Sequence, residues 1–299
     1  MSKFNPLKVK EIRRETPLAV SIVFDVPAEL KADYQFKAGQ YINIKAIING
    51  EEVRRSYSIS SSPKSEELRV VVKAVESGVF SNYVTQNLQV GDVLEVAPPE
   101  GKFILENKEA KVIVGVAAGS GITPIISLAI DALESADDTT FILIYGNKTV
   151  EDTIYFNEID ALKNKYLGRF FAHYTFTKTH PEGALFGRIE RSTINFVLKN
   201  KHSEKRVDEY FLCGPEDMIK KVTDVLIENG ANEDQIHYEL FTTSSTNGEI
   251  PVTGEGIVKV TVMVDDVETT FSMPRTENIL NAALKHGIDA PYSCQGGIC

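Results

Sequence analysis

"KVIVGVAAGSGITPIISLAIDALES", residues 111–135, sets how the second half of this chain folds. Within it, Val112 to Ile130 is 19 residues without a charge, long enough to raise a membrane span. Gly119-Ser120-Gly121 and Thr123-Pro124 break that run in the middle, so a buried strand, a glycine turn and a buried helix account for it better than a span does. Gly119 and Gly121 allow close backbone approach and unusual φ values. Thr123 is expected to cap the helix, with Pro124 in its first turn. The free N–H groups at such a helix start, together with the helix dipole, suit an anion such as a pyrophosphate. The stretch is not the G-x-G-x-x-G fingerprint, and there is no GK[ST] of a P-loop. Taken alone, a glycine turn before a helix serves structure as readily as it serves a ligand.

The surrounding sequence repeats the pattern. From about residue 108, apolar strands alternate with amphipathic segments: "TFILIYG" precedes "YFNEIDALKNKY", "RFFAHYTF" precedes "STINFVLKNKH", and "EYFLCG" precedes "PEDMIKKVTDVLIENG", with "IHYELF" closing the series. Counting "KVIVGVA", five strands separated by helices predict a parallel, doubly wound sheet. Such a sheet takes its ligand beyond the carboxyl ends of its strands.

Residues 1–107 read differently. "LAVSIVFDVP", "QYINIKAII", "ELRVVVKAV" and "DVLEVAPP" are β-branched runs punctuated by Gly and Pro, which predicts an antiparallel barrel or sandwich; only "SNYVTQNL" (Ser81–Leu88) looks helical. Residues 108–242 then form the α/β domain, and the polar, Gly/Ser/Thr-rich residues 243–256 form a linker. Residues 257–299 hold a hairpin, a short helix and the ending "IDAPYSCQGGIC".

A net charge of −10 argues against non-specific nucleic-acid or anionic-membrane binding. Three cysteines exclude a disulfide framework and fit a reducing cytosol, and the first residues carry no apolar signal-peptide core. The five histidines show no ligand spacing, and Ser120 in "AGSGI" is not a hydrolase elbow.

Further stretches carry potential chemistry. In "RRSYSISSSP" (Arg54–Pro63), Arg55 suits a phosphate, Tyr57 a flat ring and Ser58 a ring nitrogen. Gly78 to Ser81 opens a helix whose start also suits phosphate. Arg, Tyr and Ser on a strand are equally common without any ligand. The second α/β strand ends "YGNKT" and the third "TFTKT", so Lys148, Thr149, Thr177 and Lys178 stand where an acid would hold a ribose 2′-OH. That pattern leans toward a 2′-phosphate, though lysines at strand ends are also simply solvated. Cys213 follows the apolar "YFL" and is either a core cysteine or, before Gly214-Pro215 at a strand end, a ligand-facing one. Cys294 and Cys299 have the C-x₄-C spacing that begins the plant-type [2Fe–2S] pattern C-x₄-C-x₂-C; a dithiol pair is the other reading.

Taken together, Arg55-Ser56-Tyr57-Ser58, Gly78-Val79-Phe80-Ser81, Gly119-Ser120-Gly121-Ile122-Thr123-Pro124 and Cys213-Gly214-Pro215 resemble, in order and across the chain, the motifs of the ferredoxin–NADP⁺ reductase superfamily. The C-terminal C-x₄-C resembles its oxygenase-reductase type, which carries a plant-type ferredoxin domain. The resemblance implies a multidomain fold: an antiparallel β-barrel for FAD, an α/β parallel-sheet domain for NAD(P)H and the N-terminal part of a β-grasp ferredoxin domain. It implies that Arg55 holds the FAD pyrophosphate, Tyr57 covers the isoalloxazine, Ser58 sits near N5, and Gly78 and Ser81 complete the phosphate site. It further implies that Gly119, Gly121, Thr123 and Pro124 shape the nicotinamide-nucleotide site. The resemblance also implies that Thr123 and Cys213 line the nicotinamide pocket, that Glu239 of "YELF" closes it, and that Thr177, Lys178 and Arg188 handle the adenosine end. There "FTKT" departs from the family's more usual Ser-Arg.

The implied function is electron transfer from NAD(P)H, NADPH somewhat favoured, through FAD to a [2Fe–2S] centre ligated in part by Cys294 and Cys299, and on to a partner oxygenase. The implied setting is cytoplasmic, with neither nucleic acid nor membrane as partner. Two other readings stand beside it: a reductase for a free ferredoxin or flavodoxin, and a nucleotide-binding regulatory subunit without redox activity. Two of four cluster ligands precede the end of the sequence as written, so the expectation is that this chain reduces its flavin without holding the cluster.

Overall fold

The computed structural model describes residues 4–241, 256–264 and 267–288. Asn5–Thr242 form one compact unit, and the C-terminal hairpin and helix belong to a second.

The first part of the larger unit comprises β1 (Asn5–Thr16), β2 (Ala19–Asp25), β3 (Tyr41–Ile48), β4 (Glu51–Ser58), β5 (Leu68–Lys73), helix α1 (Val79–Gln86) and β6 (Val93–Val96). The strands run in the order β4-β3-β6-β1-β2-β5, each pair antiparallel. A bridge between Ile59 and Val70 joins the two outer strands and closes the barrel, leaving no open edge there. Alternation places Leu7, Val9, Val20, Ile22, Ile42, Ile44, Val70 and Val72 in the barrel interior with Phe80 of α1. The helix starts at Val79, two residues before the sequence suggested, because Gly78 is its N-cap.

The second part contains β7 (Val112–Ala118), α2 (Ile122–Ser135), β8 (Thr140–Asn147), α3 (Phe156–Lys165), β9 (Phe170–Phe176), β10 (Leu185–Phe186), α4 (Arg191–Asn195), β11 (Glu209–Gly214), α5 (Glu216–Glu228) and β12 (Ile236–Leu240). Its sheet has the order β10-β9-β8-β7-β11-β12, with every pair parallel. The sequence shows five of these strands. The sixth, β10, is a two-residue edge piece too short for any periodicity to reveal. The helix after β10 passes at Phe196–Lys201 into a π-helical turn.

The apolar run that resembled a membrane span has a packing explanation. Ile122, Ile125, Ile126, Leu128 and Ala129 of α2 are all buried, in a cluster that takes in Ile113 and Phe141 of the sheet and Ala19, Val71 and Phe103 on the outside of the barrel. A helix covered on both sides is apolar all round. The same contact explains an apolar residue on the outer face of β5: Val70 and Val72 point into the barrel and Val71 out toward α2. Among the described residues no helix is long and apolar enough to cross a membrane.

In the smaller unit, β13 (Ile257–Val264) and β14 (Val267–Pro274) pair antiparallel, and α6 (Ile279–Lys285) follows. Phe271 and Met273 alternate inward against Ala282 and Ala283. The expected linker falls almost wholly outside the described residues, as do Cys294 and Cys299.

Candidate active site

Strand β4 carries the first set of site residues. Ile42 faces Tyr57 and Ile44 faces Arg55 in the β3–β4 ladder, which holds both side chains in register with a buried strand. The Tyr57 ring lies 5.6 Å from that of Phe80, and burial pushes its phenol up, so the ring presents an apolar wall rather than a charge. Arg55 Nη1 donates to the Arg54 carbonyl at 2.7 Å, which bends the guanidinium back along the strand. Beyond Arg55, toward the β3–β4 turn, a groove of about 520 Å³ runs along α1, lined by Asn49, Gly78, Asn82 and Gln86 among others. Ser81 lies beneath it, 6% exposed: its hydroxyl donates to the Gly78 carbonyl at 3.4 Å and accepts from the Val75 N–H at 3.3 Å. The structure thus gives Ser81 a part in shaping the turn before α1.

A second cleft, of about 480 Å³, opens at the carboxyl ends of β7, β8 and β11. This is the edge where β7 is flanked by β8 on one side and β11 on the other, the point at which doubly wound sheets take ligands. Gly119, Gly121, Thr177 and Arg188 line it. Gly119 has φ +55°, and the Tyr145 hydroxyl fixes its carbonyl at 2.9 Å. Gly121 answers a different need: a Cβ there would sit 2.2 Å from the Cys213 carbonyl oxygen, so the turn can pack on β11 only without a side chain. The helix cap differs from expectation. Gly121 is the N-cap of α2, and Thr123, 2% exposed inside the first turn, donates to the Ser120 carbonyl at 3.1 Å. Pro124 is buried in the same turn. Lys178 is exposed and is not among the residues lining the cleft, although its N–H bonds the Lys148 carbonyl at 2.9 Å beside it.

The sequence reading missed several cleft residues. Lys73, the last residue of β5, reaches in from the barrel; burial lowers its pKa while Asp152 opposes the shift. Asp152 therefore supplies an acid in the region where the strand ends alone showed none. Lys221 and Asn147 also line the cleft, and Asn147 Nδ2 is buried without a hydrogen-bond partner among the described residues. No motif announces Lys73 or Lys221, because one sits at the end of a barrel strand and the other on a helix.

The two sets of residues meet at β12. Ser58 Oγ donates to Glu239 Oε2 at 3.0 Å. Burial raises the Glu239 carboxyl to about 7, with the Ser58 bond pulling partly the other way. Cys213 pairs with Glu239 across β11–β12 and is fully buried in the core. Burial, and then the Glu239 charge, push its thiol well above the ordinary range. At neutral pH the centre therefore holds a protonated thiol beside a carboxyl that exchanges its proton near pH 7.

The chain matches the oxidoreductase FAD-binding domain family over residues 6–104, the oxidoreductase NAD-binding domain family over 116–224 and the 2Fe-2S iron-sulfur cluster binding domain family over 262–299. It is 35% identical over 305 residues to a subunit of the 1,2-phenylacetyl-CoA epoxidase of Escherichia coli K12, covering 100% of this chain and 85% of that protein. The chain belongs to the ferredoxin–NADP⁺ reductase superfamily. A further relative of this superfamily is the ferredoxin reductase component of 3-ketosteroid-9-alpha-monooxygenase from Rhodococcus rhodochrous, 30% identical over 98% of this chain and 83% of that one. The fold is also that of phthalate dioxygenase reductase, with a TM-score of 0.68 at 23% identity over 99% of this chain and 85% of that chain.

Within this superfamily the protein is an FAD-dependent NAD(P)H oxidoreductase with a 2Fe-2S domain. Its residues fit both nucleotides. The β4 face offers a guanidinium, an apolar aromatic wall and a helix start, which suit a flavin nucleotide. The cleft offers Lys73, Lys148, Arg188 and Lys221 with the unpaired Asn147 amide, a donor set for phosphates. For the 2Fe-2S domain, Cys294 and Cys299 fall inside the matched residues but outside the described ones.

Proposed function

We propose that this reductase draws electrons from NADPH in preference to NADH and delivers them to the oxygenase component of a phenylacetyl-CoA epoxidase-type system in the cytosol. The observation that carries the reading is the Ser58–Glu239 bond, which brings the strand bearing the flavin motif against the strand beside the nucleotide cleft. The likeness to the epoxidase subunit, over the whole of this chain and 85% of that protein, supports the choice of acceptor. Lys148, Thr177 and Arg188 at one cleft support the 2′-phosphate. A three-cysteine composition supports the reducing compartment.

Bound FAD supplies the exchange between a two-electron hydride donor and one-electron acceptors. The chain's own residues bind, orient and shield. Arg55 and the α1 N-terminus hold phosphate charge; Gly78 leaves room at that helix start, and Ser81 shapes the turn before it. Tyr57 closes one face of the flat ring and keeps water from it. The Gly119–Gly121 turn, with Thr123 and Pro124 behind it, presents backbone N–H groups to the second nucleotide, and Lys73, Lys148, Thr177 and Arg188 anchor that nucleotide's charged ends. Ser58 directs its hydroxyl to Glu239, which holds or releases a proton at Oε2 near neutral pH. Cys213, fully buried beside Glu239, supports the strand end whose Gly214 and Pro215 line the cleft.

Rapid mixing of the FAD-loaded chain with each coenzyme tests the proposal. Saturation at a lower NADPH than NADH concentration is the expected result, followed, in protein that carries its 2Fe-2S centre, by substrate oxidation when the epoxidase oxygenase is added. Reduction by NADPH with transfer only to a free ferredoxin or flavodoxin assigns the other acceptor. A colourless chain that takes up no FAD overturns the reductase reading.

A further inference from the structure

The stretch that carries Arg55, Tyr57 and Ser58 continues into three further serines. Ser60, Ser61 and Ser62 are 0, 1 and 5% exposed, and each is bonded to the α/β half of the unit. Ser60 Oγ and the Tyr155 hydroxyl lie 2.7 Å apart, Ser127 Oγ donates to the Ser61 carbonyl at 2.6 Å, and Ser62 Oγ donates to Glu134 Oε2 at 2.8 Å. Arg69 of β5 crosses at the same place. Its guanidinium forks onto Glu158 of α3 at 3.3 and 2.9 Å and lies 5.0 Å from the centre of the Tyr155 ring. Tyr155 itself adopts φ +63°, a left-handed conformation that bulky residues avoid unless their surroundings enforce it.

This cluster bonds the barrel to the α/β half of the unit, and on each side it follows a site residue closely in sequence. Ser60 is two residues past Ser58, and Tyr155 is three past Asp152 of the cleft. From Tyr155 the connection continues: the Ile154 carbonyl lies 3.4 Å from the Tyr145 hydroxyl, which holds Gly119 of the glycine turn. An arginine–carboxylate pair with a buried guanidinium and a half-exposed carboxylate adds little net stability over apolar packing of the same volume. What a two-point fork does supply is a fixed angle and register.

We propose that Arg69, Tyr155 and Glu158, with Ser60, form a clasp that sets how closely and at what angle the nicotinamide meets the flavin, which makes them positioning residues for hydride transfer. The proposal rests on the reductase reading given above. Displacement of reacting groups by a fraction of an ångström lowers a transfer rate without touching the groups that bind. Loosening the clasp therefore slows flavin reduction while FAD content and nucleotide affinity hold.

The test compares the FAD-loaded full chain with Arg69→Met, Arg69→Lys, Glu158→Gln and the Arg69→Met/Glu158→Gln double variant, by rapid mixing with NADPH and with its 4-deuterated form. Each single variant is expected to lower the limiting reduction rate about tenfold or more, with the saturation constant within about threefold of wild type and a full deuterium isotope effect. The double variant is expected to be no slower than the slower single one, since the pair acts as a unit. A second readout needs no cofactor. Calorimetry of the FAD-free chain is expected to give one transition for the Asn5–Thr242 unit in wild type and two, barrel and sheet, in the variants. Should Arg69→Met fail to fold, Glu158→Gln carries the test. Wild-type reduction rates in the variants, or a rate loss matched by equal loss of FAD or nucleotide binding, overturn the positioning role. If the wild-type chain itself accepts no electrons, the reductase reading fails, and the clasp is decided by calorimetry, where unchanged single transitions overturn it.

Discussion

Ser58 and Glu239 are 181 residues apart in sequence and share a 3.0 Å hydrogen bond. Ser58 ends the strand that carries the flavin motif, and Glu239 stands on the last strand of the parallel sheet, with the fully buried Cys213 beside it. The bond is the point at which two separately folded patterns become one site.

It also makes the site sensitive to pH. The Glu239 carboxyl rises from 4.5 to about 7 on folding, chiefly through burial. A carboxyl raised in this way favours the folded state when protonated. Its contribution is complete below about pH 4.5 and lost as pH climbs through about 7. Glu239→Gln keeps a neutral group throughout. Relative to that variant, wild type should lose on the order of 2–3 kcal/mol of stability between these limits. Chemical denaturation at pH 5 and pH 8 measures it, and the pH profile of flavin reduction should lose an inflection near 7 in the variant.

Cys213→Ala removes a sulfur from a fully buried position. A loss of about 1 kcal/mol is expected from the small void. Flavin should stay bound while its reduction by NADPH slows about tenfold, the size of effect that misplacing a reacting group produces. Absorbance of the purified chain gives the first result and rapid mixing the second. Reduction at the wild-type rate would remove Cys213 from the site.

Gly121→Ala tests the packing of the glycine turn. The new methyl would lie 2.2 Å from the Cys213 carbonyl oxygen, so the turn or β11 must shift. Overpacking of this kind costs about 1–3 kcal/mol. Thermal unfolding should show that loss, and nucleotide titration should show weakened binding with FAD retention unchanged.

Lys73→Gln removes the cation that the barrel places in the nucleotide cleft. A hydrogen bond to a charged group is worth about 1.5–3 kcal/mol, so nucleotide affinity should fall by about tenfold or more. Its dependence on salt should become shallower. Equilibrium titration at two ionic strengths checks both. An unchanged affinity would place the phosphates elsewhere.

Much of the fold was legible because the relevant patterns are local. Alternation in "YINIKAII" and the strand-turn-helix of residues 111–135 require only near neighbours in the chain, and they mark β3 and the β7–α2 unit. Features that depend on distant partners were not legible. The two-residue β10 has no period to detect. Thr123 looked like a helix cap, yet the glycine before Ile122 holds that place and the Thr123 hydroxyl turns back to Ser120. Lys73 gave no sign of a cleft role because its partners lie in the other half of the unit.

Domain order and the superfamily follow from the amino-acid sequence alone. Hydrophobic periodicity and turn residues act over a few positions, and four spaced motifs carry enough information to identify a family. Which residues act together follows from the folded arrangement and from nothing less. Folding joined Ser58 to Glu239 and Arg69 to Glu158, and it gave α2 its second apolar contact on the outside of the barrel. It also raised the Glu239 carboxyl toward neutrality. Burial and close approach arise from the packing of segments remote in sequence, so these properties belong to the whole fold and not to any one stretch of chain.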